Sequence, residues 1–140
     1  MLPRLAIGGA VLALAAGCGG GPPSAESVVR AWSEALNSGD NEAAADLFAP
    51  GAEVVQGVSF VLETRAEAMR FNAALPCSGE IVELVTEGDT VTATFVLGDR
   101  ETSACDAPGA EAVAAFRIRE GKIVLWHQLP GSGQAPGAAV

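Results

Sequence analysis

The sequence predicts an α+β domain, and three observations carry that prediction. Apolar residues recur at helical spacing after residue 24, they alternate with a period of two towards the C-terminus, and Gly-containing turns divide the alternating runs into pairs. In "SAESVVRAWSEALNSGD" the residues Ala25, Val28, Val29, Trp32, Ala35 and Leu36 form one stripe, with Ser24 placed to cap the helix and Gly39 to stop it. Asp40 caps a second, shorter helix through "NEAAADLF", which turns Ala43, Ala44, Leu47 and Phe48 inward before Pro50 ends it. The stretch "AEVVQGVSFVLET" is short strand material broken at Gly57. Thr64 and Glu67, at capping-box spacing, then open a third helix that Pro76 stops. "GEIVELVTEGDTVTATFVLGD" and "AEAVAAFRIREGKIVLWHQL" each hold two β-rich runs about a turn, at Gly88–Asp89 and at Glu120–Gly121. The expected plan is three N-terminal helices covering the inner face of a four-stranded antiparallel meander.

A chain of 140 residues that is 49% hydrophobic has room for one domain with one core. Its formal charge of −9, with only eight Lys and Arg, argues against a nucleic-acid partner, because phosphate contacts need clustered positive charge. The first residues place Arg4 ahead of an apolar run from Leu5 to Ala16, the layout of a secretory signal. That run is about a dozen residues, short of the ~20 needed to cross a bilayer. "LAAGC" resembles the bacterial lipobox, with Ala15 where Leu is usual. The resemblance implies cleavage before Cys18 and acylation of its thiol.

The expected organisation is a signal peptide over 1–17, a flexible "CGGGPP" tether over 18–23, a globular domain over 24–129 and a disordered tail over 130–140. Its expected location is the outer side of a bacterial cell membrane, held by the N-terminal lipid. With Cys18 carrying lipid, Cys77 and Cys105 remain as an even pair in an oxidising compartment and are expected to form a disulfide. A loop of this length contributes about 3 kcal/mol on the chain-entropy account. Two cysteines and a lone histidine outside any ligand spacing do not supply a zinc site. Without a Gly-rich phosphate loop or paired metal-ligand motif, the reading assigns no metal and no cofactor.

The order helix, "NSGD", helix, "LFAPGAEVV", third helix and "EGDTVTATF" resembles the SnoaL-like branch of the nuclear transport factor 2-like superfamily. The resemblance spans Ser24 to Leu129 and rests most on "AWSEALNSGDNEAAADLFAP" and "EGKIVLW", neither of them a catalytic signature. It implies a cone-shaped fold, a curved and mainly antiparallel sheet wrapped around the helices, with an apolar cavity at the wide end. It also implies a choice of functions, since the superfamily includes isomerases, cyclases, dehydratases and members with no enzymatic role. Ketosteroid isomerases use an oxyanion tyrosine and a base aspartate; at the matching positions this chain has Trp32 and Gln56, and it contains no tyrosine. Glutamine does not accept a proton near neutral pH.

Polyketide-cyclase relatives place a carboxylate on a late strand, where the nearest titratable group here is His127, the only histidine. Alternation in "AEAVAAFRIR" puts Ala112, Ala114, Phe116 and Ile118 on the core face. A two-residue turn then pairs Ile118 with Ile123 and Phe116 with Leu125. In that register His127 shares the inner face, while Trp126 lies outside beside Arg117, Arg119 and Lys122. The expected ligand pocket is Trp32, Phe48, Gln56, Phe71 and His127, with His127 either giving a ligand one hydrogen bond or acting as a general base.

Three functional readings follow. The first is a lipid-anchored extracytoplasmic domain that binds a small apolar ligand or a partner without catalysis. The second is an extracytoplasmic lyase, cyclase or isomerase using His127 as base. The third is a partner-binding module forming a homodimer through the outer sheet face, with Trp126 exposed upon it.

Overall fold

The computed structural model describes residues 21–130. Cys18, the leader and residues 131–140 lie outside the described residues, so the expectations of cleavage, acylation and a disordered tail fall there. Helix α1 (Ala25–Asn37) starts at Ser24, whose Oγ accepts the Ser27 N–H at 3.1 Å, and the chain turns out of it at Gly39, φ 77°. Helix α2 (Asn41–Asp46) is capped by Asp40, whose Oδ1 accepts the Ala43 N–H at 3.0 Å. It ends before Phe48 rather than running through it. Leu47 already gives its carbonyl to the Ile123 N–H at 2.8 Å, and Phe48 pairs with Ile123 as the first residue of strand β1 (Phe48–Gln56).

Strand β1 turns at Gly57 into β2 (Val58–Leu62), and only then does α3 (Arg65–Ala74) begin. Half of the expected capping box forms, with Thr64 Oγ1 accepting the Glu67 N–H at 3.2 Å, while Glu67 Oε2 reaches one residue past the cap to accept the Glu63 N–H at 2.6 Å. The three helices are therefore not one N-terminal block, because the β1–β2 hairpin separates α3 from the other two. Arg65 ties the start of α3 to the end of α2 through Asp46, at 2.6 and 3.3 Å, and its guanidinium holds the Asp46 carboxyl below the ordinary carboxylate range.

Strands β3 (Cys77–Glu87), β4 (Thr90–Asp99), β5 (Glu111–Arg119) and β6 (Lys122–Leu129) form the expected antiparallel meander. The sheet nevertheless has six strands, in the order β2-β1-β6-β5-β4-β3, because β1 adds parallel to β6 and carries β2 to the edge. Strand material broken at Gly57 has thus become a full hairpin. The core lies between α1 and the inner sheet face, where Val28, Val29 and Trp32 meet Phe95, Phe116 and Ile123. Gly79 on β3 is required by packing, since a Cβ there would stand 2.9 Å from Phe95 Cδ1. Its N–H and carbonyl are both taken by the Asn37 side chain, at 2.9 and 2.8 Å, which fixes the end of α1 to β3.

The β5–β6 connection corrects the expected register. The turn is the two-residue type expected, with Glu120 and Gly121 at φ 51° and 75° between Arg119 and Lys122, and Ile118 does pair with Ile123. One step further the ladder shifts, so that Arg117 faces Leu125, Phe116 faces Trp126 and Ala115 faces His127. Val124 is the extra residue of a β-bulge, and one extra residue exchanges the two faces of everything beyond it. Trp126 is therefore the inward residue, 5% exposed and 6.2 Å centroid to centroid from Trp32. His127 lies on the outer face, half-buried between its cross-strand neighbours Ala115 and Val55.

A buried polar chain crosses the helical layer. Trp32 Nε1 donates to Asn72 Oδ1 at 2.8 Å, and Asn72 Nδ2 donates to the Ala68 carbonyl at 2.8 Å. Arg100, at the end of β4 and 5% exposed, donates from Nη1 to the carbonyls of Asn72 and Leu75 at 2.6 and 2.8 Å, and from Nη2 to Asn41 Oδ1 at 2.7 Å. One guanidinium thereby closes the C-terminus of α3 and fastens it to the start of α2.

Candidate ligand-binding site

A cavity of about 80 Å³ opens between α1 and the inner sheet face, at the end of the strands opposite the β5–β6 turn. Helix α1 supplies Trp32, Ser33 and Leu36, β4 supplies Phe95 and Leu97, and β6 supplies Trp126 and Gln128. Ala112 and Ala114 are the inward residues of β5 here, and their small side chains leave space beside the aromatic rings. Gln56 ends β1 at the rim, Leu75, Pro76 and Cys77 form the wall where α3 passes into β3, and Asp106 comes from the β4–β5 loop. A wider groove of about 500 Å³ lies between β2 and α3, lined by Phe60, Val61, Arg70 and Phe71. The two spaces share Gln56, Leu75 and Pro76, so these residues stand between the cavity and the groove.

Few polar groups face this space. Gln56 Nε2 donates to Gln128 Oε1 at 3.1 Å, an amide pair that joins β1 to β6 at the rim, and Ser33 Oγ donates to the Gly79 carbonyl at 3.3 Å. Asp106 is the only carboxylate among the lining residues, and it is exposed. Cys77 and Cys105 are joined as a disulfide with Cα atoms 4.5 Å apart, tying the β4–β5 loop to the start of β3. Cys77, Cys105 and Asp106 lie together, but joined sulfurs are not thiolate ligands, leaving the carboxylate as the one donor of that trio. Trp126 Nε1 is buried without a hydrogen-bond partner among the described residues; its ring lies 5.1 Å from that of Phe71 and 6.4 Å from that of Phe116. The chemistry on offer is aromatic and aliphatic contact, an amide pair and one rim carboxylate.

Of the residues expected to gather here, Trp32 and Gln56 line the cavity. Phe71 lines the groove outside it, and Phe48 packs behind Phe71, ring centroids 5.9 Å apart, touching neither space. His127 lines neither, which removes it as a hydrogen-bonding or proton-accepting group for this pocket. The sequence reading missed Trp126, Gln128 and Asp106. A signal for the first was present: an unbulged ladder buries an imidazole and exposes an indole, the less favourable assignment of the two. The same observation removes Trp126 as the exposed element of a dimer or partner surface.

The SnoaL-like domain family matches residues 29–126. No curated protein matches the chain. Among solved structures, a nuclear transport factor 2-like protein of unknown function from Cytophaga hutchinsonii superposes with a TM-score of 0.62 at 14% identity, over 76% of this chain and 88% of that one. A candidate polyketide cyclase from Sinorhizobium meliloti gives 0.62 at 19% identity, over 74% and 94%. A protein of ketosteroid isomerase-like fold from Catenulispora acidiphila, in complex with trimethylamine, gives 0.60 at 20% identity, over 75% and 85%. At these identities the likeness is one of fold, and by the family match over residues 29–126 the chain belongs to the SnoaL-like domain family.

Proposed function

We propose that this chain is a lipid-anchored extracytoplasmic protein that binds a small, mainly apolar ligand in the cavity between Trp32 and Trp126, and that its role is binding rather than turnover. The observation that carries the reading is the character of the walls. Two indoles, Phe95, Leu36, Leu97 and two alanines face the space, and the only charged lining group among the described residues, Asp106, sits exposed at its rim. A general base needs to reach the reacting proton from inside the site, and His127 is separated from this cavity by the thickness of the sheet. The fold neighbour described as a candidate polyketide cyclase supports no transfer of activity at 19% identity.

The chain contains two tryptophans and both line the cavity, so intrinsic fluorescence reports directly on its occupancy. Titration with small neutral apolar compounds is expected to change that emission saturably. Ala112→Leu, which places three further carbons in the cavity, is expected to weaken the response at least about tenfold, the equivalent of ~1.4 kcal/mol, while the fold persists. An unchanged titration in a folded Ala112→Leu protein would place the binding elsewhere.

The anchor and the cross-link are tested chemically. Labelled fatty acid is expected in the exported protein and absent after Cys18→Ser. A non-reducing digest of the same protein is expected to yield Cys77 and Cys105 in one linked peptide. Recovery of both cysteines as free thiols from exported protein would remove the oxidising-compartment reading.

A further inference from the structure

We infer that the pocket opens away from the membrane that anchors the chain and takes its ligand from the aqueous phase, not from the bilayer. This rests on the lipid-anchor reading above and adds an orientation to it. Two observations carry it: where the tether joins the fold, and how short the tether is.

Pro22 and Pro23 lie against the β5–β6 turn, so closely that a Cβ on Gly121 would stand 2.9 Å from Pro23 Cδ. Gly121 is thus needed twice, for its φ of 75° and for the space Pro23 occupies. From that contact α1 runs towards the far end of the sheet, where Asn37 grips Gly79 and the cavity begins. The rim residues Gln56 and Gln128 lie at the opposite end of β1 and β6 from the turn. Lys122 to Gln128 is a rise of about 20 Å at ~3.3 Å per residue.

From an acylated Cys18 to Pro22, the first residue packed near the turn, the chain reaches at most about 14 Å even fully extended. If the rim rested on the lipid headgroups, the turn would stand about 20 Å above them, beyond the reach of that tether. The domain can stand or tilt on its anchor, but it cannot invert to present the cavity to the bilayer. Cavity size agrees independently: about 80 Å³ lies well below the roughly 300–1,000 Å³ of drug-sized pockets, and a membrane-lipid acyl chain does not fit it. The occupant is therefore a small compact molecule that reaches the pocket dissolved in water.

The full exported chain, bound to phosphatidylethanolamine–phosphatidylglycerol vesicles that contain a nitroxide-headgroup lipid, tests this. A fluorophore is placed either through Val58→Cys, beside the rim and 69% exposed, or through Arg119→Cys at the turn. The expected result is several-fold stronger quenching at 119 than at 58. A Gly-Ser insertion of about 20 residues after Gly20, with a root-mean-square reach of ~25 Å, is expected to raise the quenching at 58 towards that at 119. Quenching at 58 equal to or above that at 119, in protein whose Cys18 is acylated by mass spectrometry, overturns the orientation and leaves the anchor reading standing. A chain recovered without acyl groups overturns the anchor reading and the orientation with it.

Discussion

Arg100→Ala is expected to lower the unfolding free energy by about 3–5 kcal/mol, read as a fall in the urea midpoint of the oxidised protein. The magnitude comes from what the substitution leaves behind. The Asn72 and Leu75 carbonyls and Asn41 Oδ1 each lose a charge-assisted donor at 2.6–2.8 Å, and a buried acceptor without a partner costs roughly 1–3 kcal/mol. No carboxylate pairs with Arg100 among the described residues; the carbonyls at the C-terminus of α3 supply the compensating negative end. Burial pushes the guanidinium pKa down from its ordinary value, yet the group stays charged at any pH at which the fold persists. Arg100→Lys is expected to recover only part of the loss, because one ammonium cannot span three acceptors lying in different directions. A loss below about 1 kcal/mol for the alanine variant would show that α3 is held by packing instead. The consequence reaches the binding site, since Leu75, which this guanidinium holds, walls both the cavity and the groove.

Local chemistry made most of the fold legible. Ser24, Asp40 and Thr64 each accept the N–H three residues on, and Glu120–Gly121 forms the turn its composition implies. These features are decided within a few residues, and a sequence displays them directly. What was not legible depends on pairing between distant segments. The parallel alignment of β1 on β6 turns a short broken run into two strands and draws Phe48 out of α2, and no residue near Phe48 announces a partner at Ile123. Arg100 was likewise invisible, because its three acceptors come from parts of the chain 25 or more residues away. In the site, Trp32 and Gln56 followed from the family resemblance, at the positions that match the isomerase tyrosine and aspartate, and both line the cavity. Errors over Trp126 and His127 came from one residue, Val124, because alternation is read by counting and a bulge adds one to the count.

That one-residue shift yields the second large effect. Trp126→Ala is expected to cost about 3–5 kcal/mol, because it removes an indole packed edge-on against Trp32, Phe71 and Phe116 and leaves a hole in the wall of the ligand cavity. His127→Ala is expected to cost less than about 1 kcal/mol, as the imidazole lies half-buried on the outer face and makes no side-chain hydrogen bond among the described residues. The same pair separates in binding. Removing Trp126 deletes one wall of the cavity and should abolish the ligand-induced change in the emission of the remaining Trp32. Removing His127 should leave ligand affinity within about twofold of the parent, since an outer-face group changes no contact in the pocket; ~0.4 kcal/mol is the corresponding limit. The opposite ranking, with His127→Ala the more damaging change in both the urea midpoint and the titration, would mean that β5 and β6 pair without the bulge in solution and that His127, not Trp126, faces the ligand.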